Sequence, residues 1–246
     1  MDFIKFLETV NLPLERQGPG SINSTLKALS FTGLEAKPGL NVLDAGSGTG
    51  AASLVLAEKL QANITSIDLL EAFTKEARRR VKDSKKLKSK IEFITGSMDQ
   101  LEIEEQSLDL IWSEGAIYNI GFENGINYFK KFLKPSGFLA VSEITWLTSD
   151  RPQEIHDFWA EAYPEIGLAS EKIKILESQG YKILGYFPLS RDEWMDGYYT
   201  PLKSQVEKII PNESTAPMIS EQLKEIELYE KYGEYYSYGF YIAESI

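Results

Sequence analysis

The chain has 246 residues, 43% hydrophobic and 26% charged, with a net charge of −11 and no cysteine. That length suits one α/β domain with a full core, the composition is that of a water-soluble globular chain, and the acidic balance opposes a nucleic-acid partner, which is held through clustered Lys and Arg. Without cysteine there are no disulfides, thiolate metal sites or cysteine nucleophile; no apolar run nears the roughly 20 residues of a bilayer span, and the start lacks a signal-peptide pattern, so no membrane partner and a cytoplasmic location are expected.

In chain order, a polar, glycine-rich stretch, Glu15-Arg16-Gln17-Gly18-Pro19-Gly20-Ser21, precedes a helix over Ile22–Phe31. Ser21 or Asn23 could cap that helix. Apolar runs then alternate between strand-like and helix-like character: strands at Asn41–Ala45, Asn63–Asp68, Ile91–Thr95, Leu108–Ser113 and Phe138–Ile144, and helices at Ala51–Leu60, Glu71–Asp83 and Glu123–Leu133. Short Val/Ile/Leu/Phe runs of this kind fit strands buried on both faces, and the alternation is the pattern of a parallel sheet wrapped by helices. Lys134-Pro135-Ser136-Gly137 is a turn that cannot continue a helix. Beyond Trp146, helices at Gln153–Tyr163 and Ser170–Ser178 lead into strands at Tyr181–Phe187 and Tyr238–Glu244. Between those strands Ile219, Leu223, Ile226, Tyr229 and Gly233 recur at helical spacing, which places an amphipathic helix over the sheet as a cap.

The most informative segment is Asn41-Val42-Leu43-Asp44-Ala45-Gly46-Ser47-Gly48-Thr49-Gly50, a strand running into three glycines at alternate positions and then a helix. Glycine permits positive φ and close approach of backbone to a ligand, and the helix start offers free N–H groups. The next strand ends in Asp68, placed to accept hydrogen bonds from the hydroxyls of a ribose. A dinucleotide fingerprint is G-x-G-x-x-G with a pyrophosphate on the helix N-terminus. Here the spacing is G-x-G-x-G with Asp44 two residues upstream, and that carboxylate would repel a pyrophosphate but suit a cationic ligand such as S-adenosylmethionine, which carries a sulfonium and an ammonium.

Val42–Gly50 resembles the first motif of class I, Rossmann-like S-adenosylmethionine-dependent methyltransferases, and is similar in particular to the small-molecule group of the quinone-biosynthesis C-methyltransferases. The resemblance covers residues 35 to 145. Gly96-Ser97-Met98-Asp99-Gln100-Leu101 resembles the loop along the adenine, where many members carry an acidic residue at the Ser97 position; Asp99 or a backbone carbonyl could replace it. Leu108–Gly115 resembles the fourth motif, whose strand end faces cofactor and acceptor, and Phe132–Leu139 the helix, turn and strand after it. The fold implied is α/β, a mostly parallel seven-stranded sheet with helices on both faces, the last strand antiparallel, and a helical cap inserted before it. One domain, 1–246, is expected, with its core over about 22–150, 181–188 and 238–244 and its cap over about 151–179 and 190–236. The cofactor-binding residues expected are Arg16, Gln17, Gly18, Asp44, Gly46, Ser47, Gly48, Asp68, Leu69, Ser97, Met98 and Glu114, with Arg16 or nearby N–H groups meeting the cofactor carboxylate.

Methyl transfer is an in-line displacement that asks mainly for alignment and exclusion of water. An acceptor that must lose a proton would need a base, for which the catalytic candidates are Glu114, Tyr118 and His156, the only histidine. No His/Asp/Glu group shows ligand spacing, so no metal is expected. Eight of the 13 tyrosines lie between Tyr198 and Tyr241, an aromatic surface for a flat or apolar small-molecule acceptor or, equally, core or homodimer packing. The rival readings are a nicotinamide-dependent oxidoreductase, a cofactor-binding protein of the same fold without transferase activity, and an RNA methyltransferase using the patch at 75–90, where nine basic residues face two acids.

Overall fold

Eight strands form one sheet in the computed structural model, which describes residues 1–83 and 90–246. In chain order the elements are α1 (Phe3–Asn11), α2 (Ile22–Thr32), β1 (Asn41–Ala45), α3 (Ala51–Leu60), β2 (Asn63–Asp68), α4 (Glu71–Asp83), β3 (Lys90–Thr95) and β4 (Leu108–Glu114). A 3-10 turn (Ile117–Ile120) leads to α5 (Phe122–Lys130), β5 (Leu133–Trp146), α6 (Gln153–Ala162), β6 (Gly167–Leu168), α7 (Ala169–Ser178) and β7 (Tyr181–Pro188). The cap follows as α8 (Arg191–Trp194), a π-helical turn (Met195–Tyr199), α9 (Thr200–Val206) and α10 (Ala216–Tyr232), before β8 (Tyr236–Ser245) closes the chain.

The strand order is β3-β2-β1-β4-β5-β8-β7, with β6 paired to the end of β5. β1 to β5 are parallel, and β8 runs antiparallel to both β5 and β7. The reason is legible in burial: Leu110, Ile111 and Trp112 in β4 are all fully buried, so both faces need a helical layer. One face packs Val42, Leu110, Trp112, Ile144 and Phe240 under α2, α3 and the cap; the other packs Leu43, Ile111, Val141 and Tyr241 under α5 and α7. Among the described residues no helix is long and apolar enough to cross a membrane.

The fold has the expected class and topology, with local differences. The helix before Lys134-Pro135 ends at Lys130, and β5 begins at Leu133 rather than Phe138. Leu133 pairs with Leu108 and Phe138 with Leu110, so the Pro-Gly segment is a bulge inside the pairing rather than a turn ahead of it. The cap holds two helical stretches where one was expected, because Ser190 caps a first helix by accepting from the Glu193 amide before α10 supplies the second. β6 is a two-residue strand with no apolar run to announce it. Nor did the pattern announce α1, which Asp2 caps by accepting from the Lys5 amide at 2.7 Å; it buries Phe6 and Val10 and contacts α9.

Candidate cofactor and acceptor site

Above the carboxyl ends of β1, β2 and β4 lies a cleft of about 540 Å³, lined from β1's glycine turn, Asp68–Leu70, Gly96–Asp99, Glu114–Ile120, Arg16–Pro19, α1 and Tyr198. This is where open α/β sheets hold ligands, outside the strand ends and beside the point where strand order reverses between β1 and β4. The glycine turn is made by sterics. Gly46 and Gly48 have φ of +74° and +54°, and a Cβ on Gly46 would sit 2.2 Å from the Ala116 Cβ, on Gly48 2.6 Å from the Gln17 Oε1. The amides of Gly46 and Ser47 both donate to the Ile67 carbonyl at 2.9 Å, which locks the turn onto the end of β2.

Asp68 holds that turn from the other side, its carboxylate accepting from the Gly48 amide (2.8 Å) and the Leu70 amide (2.9 Å). Burial raises its pKa above the usual carboxylate value. Asp44, 1% exposed, is pushed up to about 7, mainly by burial, which the short hydrogen bond from the Ser53 hydroxyl (2.5 Å) partly offsets. Burial thus favours the neutral acid, and a cation alongside would favour the carboxylate.

The polar segment before α2 arches over the turn. Gln17 Oε1 accepts from the Thr49 amide (2.8 Å) and hydroxyl (2.9 Å), while Arg80 of α4 donates to the carbonyls of Leu14 and Glu15 at 2.8 and 2.7 Å. Arg16 pairs with Glu114 at 2.5 Å, the two side chains about a tenth exposed, and donates to Thr25 at 3.1 Å. Glu114 also accepts from the Thr25 hydroxyl (2.6 Å) and the Trp112 indole (2.9 Å).

Arg16, Gln17, Gly18, Asp44, Gly46, Ser47, Gly48, Asp68, Leu69, Ser97, Met98, Glu114 and Tyr118 all line this one cleft. His156 does not. It stands on the exposed side of α6, 3.3 Å from Asp157, because only Ile155 of that helix is buried. Two further lining residues are joined by a 3.1 Å hydrogen bond from phenol to amide oxygen: Asn11, which the sequence pattern does not mark, and Tyr198, which it marks only as one of the aromatic run to Tyr241. The apolar spacing Phe3, Leu7 was the available signal for the first; the second is aimed by a π-turn that sequence does not mark. Of the tyrosines from Tyr198 to Tyr241, Tyr199, Tyr229, Tyr232, Tyr236 and Tyr241 are buried as packing. Within the basic patch, Arg78 donates to the Phe93 carbonyl and Arg79 and Arg80 pair with Glu76; Lys85, Lys86 and Lys88 lie outside the described residues.

An S-adenosyl group fits the residues present. The Ser47 hydroxyl is buried in the cleft wall without a hydrogen-bond partner, the glycines leave a cradle that a side chain would fill, and the carboxylates Asp44 and Asp68 answer an ammonium and a ribose. Fold and site together define an α/β protein built around an adenosyl-type ligand. The comparisons agree: residues 36–193 match the model of a methyltransferase domain family, to which the chain belongs, and the family uses S-adenosylmethionine. The chain is 32% identical over 127 residues to the phosphoethanolamine N-methyltransferase of Plasmodium falciparum, covering 50% of this chain and 46% of that protein. It is 26% identical over 137 residues to the ubiquinone/menaquinone biosynthesis C-methyltransferase UbiE of a Ruegeria species, covering 54% of each. It thus spans about half the length of these curated relatives. The structure of an S-adenosylmethionine-dependent methyltransferase from Thiobacillus denitrificans, in complex with S-adenosylhomocysteine, superposes with a TM-score of 0.83 over 100% of both chains at 21% identity.

Proposed function

We propose that the chain transfers the methyl group of S-adenosylmethionine to a small-molecule acceptor. The observation that carries this reading is the convergence, in a cleft of small-molecule size, of the glycine turn, Asp44 and Asp68 with an open wall at Tyr118 and Tyr198. The cofactor, when bound, supplies a methyl carbon made electrophilic by its sulfonium.

The chain's own residues then bind, orient and shield. Asp44 ionises beside the ammonium. Asp68 has lone pairs beyond those given to Gly48 and Leu70 and accepts from the ribose hydroxyls. Ser97 donates to Asp99 at 2.5 Å, which leaves the second Asp99 oxygen for the adenine amino group in the loop with Met98 and Leu69. Glu114, gripped by three donors, fixes the Arg16 guanidinium, whose uncommitted N–H groups serve the cofactor carboxylate. Gln17 and Gly18 close over the glycine turn, and Phe3, Ile4 and Leu7 of α1 give the cleft an apolar edge that excludes water. Tyr118 and Tyr198 line the acceptor side.

Calorimetric titration with S-adenosylmethionine and S-adenosylhomocysteine tests this. Dissociation constants on the order of micromolar, weakened at least about a hundredfold by Asp68→Ala through loss of the ribose contacts, are expected. An unaltered protein that binds neither compound overturns the proposal.

A further inference from the structure

The acceptor side of the cleft has a hydrogen-bonding character of its own. Its polar side chains are Asn11, Asn119, Tyr118 and Tyr198, and three of their six N–H and O–H donors are spent inside the protein. The Asn11 amide nitrogen donates to the Leu7 carbonyl (3.0 Å), that of Asn119 to the Ala116 carbonyl (2.9 Å), and the Tyr198 hydroxyl to Asn11 Oδ1 (3.1 Å). What remains toward a ligand is an excess of acceptors: the Asn119 carbonyl oxygen and the Tyr198 lone pairs, beside a Tyr118 hydroxyl that can play either part.

Charge points the same way. Among the described residues the one basic side chain lining the cleft is Arg16, whose charge Glu114 already balances. Behind the wall, Tyr199, next to Tyr198 in the π-turn, donates to Glu225 of α10 at 2.8 Å. Glu225 has no salt-bridge partner among the described residues, and burial raises its carboxyl above the usual range. Lys172, the buried cation on the far side of Tyr163, is already paired with Glu143 at 3.5 Å. An anionic acceptor would meet no free cation here. A neutral hydroxyl offers these acceptors one donor and an ammonium up to three, while phenol rings offer a cation a further attraction.

Resting on the methyltransferase reading above, we infer that the acceptor is a small amine, drawn in as an ammonium and methylated on nitrogen between Tyr118 and Tyr198. The nitrogen gives one proton to solvent water and its lone pair forms the new N–C bond. The methyl–sulfur bond breaks with its electron pair staying on sulfur, so that a neutral thioether and a methylated ammonium leave. Phosphate- and carboxylate-bearing acceptors are refused at the same wall.

The test is titration of the protein saturated with S-adenosylhomocysteine by small primary and secondary alkyl- and arylalkylamines, each paired with the alcohol and the carboxylic acid of the same shape. Amines are expected to bind at least about tenfold more tightly than their alcohols, the acids not at all. With methyl-labelled S-adenosylmethionine the label should then appear on nitrogen. An acid or alcohol that binds as well as its amine, or the failure of every amine at about 10 mM, overturns the inference. Failure of S-adenosylhomocysteine itself to bind would instead overturn the cofactor reading.

Discussion

On the cofactor side of the cleft the walls are largely backbone: Gly46, Ser47 and Gly48 in one turn, closed by Asp68 through two amides. On the acceptor side they are side chains, Asn11, Tyr118 and Tyr198, brought from α1, a 3-10 turn and a π-turn. The first wall is specified within a few tens of residues and tolerates no added atom. The second is assembled from both ends of the chain and rests on buried polar packing behind it. A shared cofactor and a variable acceptor call for this division, since side chains can be exchanged without disturbing a turn.

The largest effect should come from behind the acceptor wall. Lys172 and Glu143 are 2% and 0% exposed, with the Lys172 ammonium 4.4 Å from the centroid of the Phe122 ring. Lys172→Met leaves the Glu143 carboxylate without its cation, at a cost of about 3–5 kcal/mol. Burial already raises the Glu143 pKa to about 7, with Lys172 holding it down. The folded state therefore binds more protons than the unfolded state between the ordinary carboxylate range and about 7, so stability falls as pH rises through that window. Urea denaturation should show a smaller loss for the variant at pH 6 than at pH 8. Lys231→Met, which removes the exposed partner of Glu154, should leave the curve unmoved. Equal losses in the two variants would mean that the acceptor wall does not rest on the buried pair.

On the cofactor side the corresponding break is steric. Gly46→Ala puts a Cβ 2.2 Å from that of Ala116 at a φ of +74°. It should cost about 1–3 kcal/mol of stability and weaken S-adenosylhomocysteine at least about a hundredfold, since the turn that shapes the cradle must move. Gly197→Ala, with no atom nearer than 3.5 Å to the new Cβ and outside the cleft lining, is the control. Its binding should change by less than about threefold, in keeping with the small effect of unconstrained sites. A Gly46 variant that binds normally would show that the tight turn is not what recognises the cofactor.

The contrast between the walls also explains what could be read from sequence. Strand, glycine turn and Asp68 lie close together, and each residue type follows from a local need for positive φ, close approach or an acid at a strand end. The same locality misled at Pro135 and Gly137: they read as a stop, whereas β4 pairs with residues on both sides of them, a tertiary decision. Asn11 and Tyr198 are 187 residues apart, and nothing in either neighbourhood announces the other. His156 attracted attention as a lone titratable group, but chemistry without placement does not make a site, and α6 turns it to the surface.

Asp44 offers the finest discrimination between the two walls, because its ionisation should couple to the cofactor and not to the acceptor. Its pKa is raised from 3.8 to about 7 by burial, so at pH 6 the empty protein holds it mostly protonated, while an ammonium alongside favours the charged form. Binding must then expel a proton below about pH 7. Affinity for S-adenosylhomocysteine should fall toward tenfold per pH unit as pH drops from 7 to 5, and flatten above it. Calorimetry in buffers of different ionisation enthalpy should count close to one proton released at pH 6. Asp44→Asn should bind more weakly at pH 8 and lose most of the pH dependence. A pH dependence that persists in the variant would assign the proton elsewhere, with Asp68, also raised by burial, next in line.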